Sequence, residues 1–107
     1  MPHLRVNGLN VGYGRATVIE SLDLDVKPGQ KEKAIALFAN GNFKRLLDWP
    51  VTRREDMDGV KVYFGDLGWV MVRASGTENL LRVYSETSKL DTTRRVLTSV
   101  GEIVRNL

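Results

Sequence analysis

The sequence predicts an α+β fold: a largely antiparallel sheet with two helices on one face and an extra N-terminal β-hairpin. Three observations carry this. Apolar residues alternate strictly with polar ones at Leu22, Leu24 and Val26 and again at Val60, Val62 and Phe64, the period of half-buried strands. Val96, Leu97, Val100, Ile103, Val104 and Leu107 fall at spacings of one, three and four, a helical stripe. The element order is strand, strand, helix, three strands, helix, which layers two helices on a sheet.

Taken in order, Leu4 and Val6 alternate with Arg5 and Asn7, and Leu9 and Val11 resume after Gly8. Gly12-Tyr13-Gly14 is a turn signal before a second strand from Thr17 to Val26, apolar on one face and acidic, through Asp23 and Asp25, on the other. Pro28-Gly29 ends it. A helix is expected over Lys31 to Ala39, closed by Asn40-Gly41. Phe43, Leu46, Leu47 and Trp49 read as a short helical turn, and Val51 to Asp58 as a polar loop. Val60 to Phe64 and Trp69 to Arg73 form strands joined by a Gly65-Asp66-Leu67-Gly68 hairpin turn, and Leu80 to Glu86 is the next strand. Asp91 or Thr92 is expected to cap the last helix.

The chain has 107 residues, 42% of them hydrophobic and 27% charged, enough for one domain with an appended segment. No apolar run approaches the roughly 18 residues that span a bilayer, and Met1 to Arg5 lack a secretory apolar stretch. Cytoplasmic residence and no membrane partner are the expectation. Without cysteine, disulfides and thiolate metal sites are excluded, and the sole histidine, His3, lies near the terminus, which argues against a metal centre or a Ser-His-Asp triad. A net charge of +3 permits anions. Basic residues occur in pairs, Arg53-Arg54 and Arg94-Arg95, without interleaved aromatics, so no nucleic-acid partner is expected.

Arg73-Ala74-Ser75-Gly76-Thr77 sits between two strands and holds the parts of an oxyanion cradle. Two hydroxyls can donate, Gly76 lets backbone approach, and consecutive amides can converge on an anion. Arg73 brings a forked cation suited to phosphate, and Arg82, nine residues on, can face the same region. By chemistry alone an ordinary connection is the commoner reading, because Ser-Gly-Thr is frequent in turns.

The stretch from Asp58 to Glu86, DGVKVYFGDLGWVMVRASGTENLLRVYSE, resembles the last domain of the α-D-phosphohexomutases, such as phosphomannomutase and phosphoglucomutase. That family has a hairpin leading into an Arg-x-Ser-Gly-Thr-Glu-Pro loop and a strand ending Arg-Val-Tyr. The likeness runs from about Asp23 or Lys27 to the terminal helix, and it implies a TBP-like sandwich whose loop holds the phosphate of a phosphosugar. Carried over, Arg73, Ser75, Gly76 and Thr77 are the implied phosphate ligands, with Glu78 organising the loop and Arg82 in support. Ala74 stands where proline is frequent, and Asn79 replaces the proline after the glutamate. The family's phosphorylatable Ser-His motif, its Asp-Gly-Asp magnesium loop and its sugar-recognition loop have no counterpart here, so no catalytic residue, no metal and no cofactor are expected. A phosphate clamp without turnover is the implied function, and phosphate or a phosphosugar the weakly held partner.

Residues Leu4 to Gln30, LRVNGLNVGYGRATVIESLDLDVKPGQ, are similar instead to the opening strands of an ABC-transporter ATPase, with Tyr13 at the adenine-stacking aromatic position. The Gly-x-x-x-x-Gly-Lys-Ser/Thr loop that should follow is missing, so nucleotide binding is not expected. The two likenesses suggest a chimera: an N-terminal β segment over 1–26 and a phosphate-binding domain over 27–107. Grafted strands leave a sheet edge open, and a homodimer through sheet edges follows as an expectation.

Overall fold

The structure, a computed structural model, describes residues 3–12 and 15–107, with side chains described from Thr17 onward. Its elements are β1 (His3–Gly12), β2 (Arg15–Asp25), α1 (Gln30–Ala39), β3 (Arg45–Leu46), β4 (Trp49–Pro50), β5 (Arg53–Glu55), β6 (Val60–Tyr63), β7 (Gly68–Ala74), β8 (Leu80–Thr87) and α2 (Leu90–Arg105). Six strands form one antiparallel sheet in the order β1-β2-β8-β7-β6-β5, and β3-β4 form a separate short ladder. This is the predicted α+β class. In β1 the register with β2 shifts between Val6 and Gly8. A bulge there is what the sequence pattern requires, because alternation changes phase between Val6 and Leu9. The Tyr13-Gly14 part of the expected turn lies outside the described residues.

Alternation decides which face is buried. Leu22, Leu24, Val60, Val62, Val70, Val72, Leu81 and Val83 project to one side and are buried in a single core with Ala34 and Phe38 of α1 and Val96, Leu97, Val100 and Val104 of α2. Each of the valine, leucine and phenylalanine side chains contributes on the order of 1.5–3 kcal/mol by leaving water. Helix α1 packs over β6 and β7, and α2 over β8 and β2. The opposite sheet face carries Lys61, Tyr63, Trp69, Met71, Arg73, Arg82 and Tyr84. At the β6–β7 connection Gly68 has φ of 142°, and a Cβ there would lie 2.0 Å from the Glu86 carbonyl oxygen, so only glycine fits.

Several expectations are corrected. The helical turn read over Phe43 to Trp49 is the β3-β4 ladder, which reverses through Leu47 at φ 55°. Its spacing mimics a helix, but the stretch is too short to sustain one before Pro50 removes a donor. The loop read over Val51 to Asp58 contains edge strand β5, where Arg54 turns inward and donates to the carbonyls of Phe38 (2.8 Å) and Phe43. An edge strand needs no apolar alternation, so its sequence reads as loop. The last helix begins at Leu90 and no side chain caps it from Lys89; the Thr87 hydroxyl instead accepts from the Lys89 amide (3.2 Å). Finally, β2 is not purely apolar on its core side. Glu20 shares the phase of Leu22 and Leu24 and is fully buried against α2.

Candidate anion-binding site

The β7–β8 turn, residues 75–79, is built by short-range hydrogen bonds. The Ser75 amide donates to the Leu80 carbonyl (2.9 Å) and closes it. The Ser75 hydroxyl oxygen accepts from the amides of Thr77 (3.4 Å) and Glu78 (3.2 Å), a serine-capped turn that does not use the hydroxyl's own proton. Two longer ties anchor the turn to the domain. The Val26 amide donates to the Asn79 carbonyl (3.0 Å), and Lys31 Nζ donates to the carbonyls of Ser75 (2.8 Å) and Glu78 (2.9 Å).

The strands that flank the turn place two arginines. Arg73 and Arg82 are direct partners across β7 and β8, on the sheet face away from the helices. Like charges opposed in this way are unfavourable on their own. Each has a carboxylate alongside: Asp58 lies 3.4 Å from Arg73 and Asp23 lies 3.8 Å from Arg82. Both arginine side chains stay about half exposed, at 52% and 50%. Asp58 is 79% exposed, so the Arg73 pair is weak and easily exchanged, whereas Asp23 is only 12% exposed and holds Arg82 from a largely buried position.

Arg73, Ser75, Gly76, Thr77, Glu78 and Arg82 all line one open recess of about 390 Å³. The structure thus brings together every residue the sequence singled out. Gly76 has no neighbour within 4 Å of where a Cβ would sit, so its backbone is approachable. Two of the consecutive amides, however, are turned onto the Ser75 hydroxyl and not outward. Chemically the recess offers two cations, two hydroxyls and backbone, a donor-rich mouth for a small oxyanion. Lys31, Asp23 and Asp58 were not picked out from sequence. A signal existed for Lys31: a cation in the first turn of a helix opposes the macrodipole and wants another reason to be there.

Elsewhere, a second recess of about 390 Å³ lies between the end of β2 and α2, lined in part by Leu24, Val26 and Val104. Its one amide side chain is already engaged: Gln30 Nε2 donates to the Val104 carbonyl (2.8 Å) while its oxygen accepts from the Lys27 amide (2.8 Å). Among the described residues no group of three or more carboxylates or imidazoles is placed to hold a metal ion, and no helix is long and apolar enough to cross a membrane.

Two helices thus back the antiparallel sheet on one face, and a donor-rich turn joins its central strands β7 and β8. Residues 25–102 match the sequence model of the family described as phosphoglucomutase/phosphomannomutase, C-terminal domain, and the chain belongs to that family. A phosphoglucomutase/phosphomannomutase of Thermococcus kodakarensis is 50% identical over 40 residues, which take in 37% of this chain and 9% of that protein. The match to the family begins at Asp25, the last residue of β2, so β1 and the rest of β2 precede it.

Proposed function

We propose that this domain binds the phosphate of a phosphosugar in the recess formed by Arg73, Ser75, Gly76 and Thr77, with Arg82 in support and Glu78 shaping the turn. One observation carries the reading: two half-exposed arginines are held side by side at the mouth of a hydroxyl-bearing turn, an arrangement a bound dianion would relieve. The domain holds the anion but does not transfer phosphoryl groups by itself, because its sequence offers no phosphorylatable serine beside a histidine and no aspartate cluster for magnesium. Affinity is weak, since one end of the ligand provides all the contacts. The same reading keeps the domain in the cytoplasm, without a membrane or nucleic-acid partner. Titration with inorganic phosphate or glucose 1-phosphate should shift the amide signals of Ser75 to Asn79. Unchanged signals at millimolar ligand would sink it.

A second reading concerns the N-terminal segment. As the alternative we infer that residues 1–26, with their likeness to ABC-transporter ATPases, were joined to the domain over 27–107, and that the product is a chimeric or recombinant folded domain with no ligand function that assembles through edge strands. The position of β1 favours this: it is a ten-residue strand at one end of the sheet, whereas the other end is the three-residue, arginine-rich β5. Long strand edges pair and short charged ones resist pairing. A homodimer through β1 is expected in sedimentation at high concentration, and a strict monomer would remove the idea.

A further inference from the structure

The amides of Thr77 and Glu78 are spent on the Ser75 hydroxyl, so backbone donation to an anion must come from other peptides of the turn. We infer that Lys31 is the positioning residue that aims them, an assignment resting on the turn's reading as an anion site. Lys31 Nζ binds two carbonyls of this turn, those of Ser75 and Glu78, at 2.8 and 2.9 Å. In a trans peptide the carbonyl of one residue and the amide of the next point in opposite directions, and the described chain has no cis peptide. Drawing the Ser75 carbonyl toward Lys31 therefore turns the Gly76 amide away from it. Drawing the Glu78 carbonyl does the same to the Asn79 amide. Lys31 approaches from α1, on the helix side of the sheet, so both amides are sent toward the face that bears Arg73 and Arg82. Neither amide meets a protein acceptor among the described residues.

Asn79 gains a meaning from this. The family places proline after the glutamate, and proline has no amide hydrogen. In this chain residue 79 supplies one, and the ammonium of Lys31 fixes where it points. The bridge also holds the turn in one shape before any ligand arrives, which lowers the ordering cost of binding. No other described hydrogen bond of Lys31 competes for its ammonium.

The test uses the full chain with Lys31→Met, which keeps the apolar stem and removes the donors, and Lys31→Arg, which restores two donors. Lys31→Gln serves in its place if Lys31→Met fails to fold. In the absence of ligand, Lys31→Met should displace the Gly76 and Asn79 amide signals while the thermal midpoint moves little. Phosphate affinity should fall about tenfold, the size of one lost charge-assisted interaction, and Lys31→Arg should recover most of it. Gly76 and Asn79 signals that stay in place in Lys31→Met would overturn the assignment, as would unaltered phosphate affinity. A wild-type chain that ignores phosphate would defeat the proposed function instead, and the ligand-free amide signals would still decide the role of Lys31.

Discussion

Arg94, on α2, grips Glu20, on β2, through both carboxylate oxygens, with Nε 3.0 Å from Oε2 and Nη2 3.1 Å from Oε1. Glu20 is fully buried and lies before the span matched to the family, whereas Arg94 lies inside it. The pair therefore clasps the N-terminal β1–β2 hairpin to the terminal helix. The carboxylate beside it raises the Arg94 guanidinium further above its ordinary value, so the cation persists at every accessible pH. Arg94→Ala strands a carboxylate in the core. Because Glu20 is fully buried while Arg94 is 45% exposed, a loss of stability is expected in urea unfolding, smaller than for a pair buried on both sides. Replacing both residues with apolar ones of similar volume should recover most of it.

Arg73 and Arg82 set stability against binding. Arg73→Gln removes one of two opposed cations and leaves its partner Asp58 well solvated, so the ligand-free domain should change in stability by less than about 0.5 kcal/mol in either direction. Phosphate affinity, read by amide titration, should nevertheless drop about tenfold or more. A variant that loses stability and affinity together would instead point to a structural role for the pair.

Gly68 is expected to be intolerant. Gly68→Ala puts a Cβ 2.0 Å from the Glu86 carbonyl oxygen at a φ of 142°, and β7 or β8 must shift to admit it. A loss of about 2–4 kcal/mol is expected in denaturant unfolding, large for an alanine substitution. Gly76→Ala, with open space around it, should cost far less and serves as the control.

On the open sheet face the Tyr63 hydroxyl donates to Glu55, and with the nearby Arg53 and Lys61 this holds the Glu55 carboxyl below its ordinary value. A depressed carboxylate pKa contributes stability that is present above the unfolded value, about 4.3, and lost as pH falls through the folded one. Tyr63→Phe should raise the Glu55 pKa in an NMR titration and flatten the acid limb of stability. An unchanged titration curve would remove the hydrogen bond from the account.

The sequence exposed some features of this domain far better than others. Val60–Phe64 and the Val96–Leu107 stripe were plain, because a face that must be buried writes its own period. Arg53–Glu55 was hidden: an edge strand hydrogen-bonds on one side only and places few demands on side chains. Phe43–Trp49 misled, since three or four apolar residues fit a helix and a tight ladder alike. For the site, Arg73, Ser75, Gly76 and Thr77 were visible as one contiguous run. Lys31 was visible only as a helix residue, forty-four positions from Ser75 in the chain.

By itself the sequence determined the periods of burial, the glycine-bearing turns and the set of groups able to donate to an anion, all properties carried by neighbours along the chain. The tertiary structure alone decided that Arg73 faces Arg82, that Glu20 turns into the core to meet Arg94, and that Lys31 reaches the carbonyls of the turn. Strand register and helix placement are settled by packing among distant segments, and a charge finds its partner only once those segments have docked.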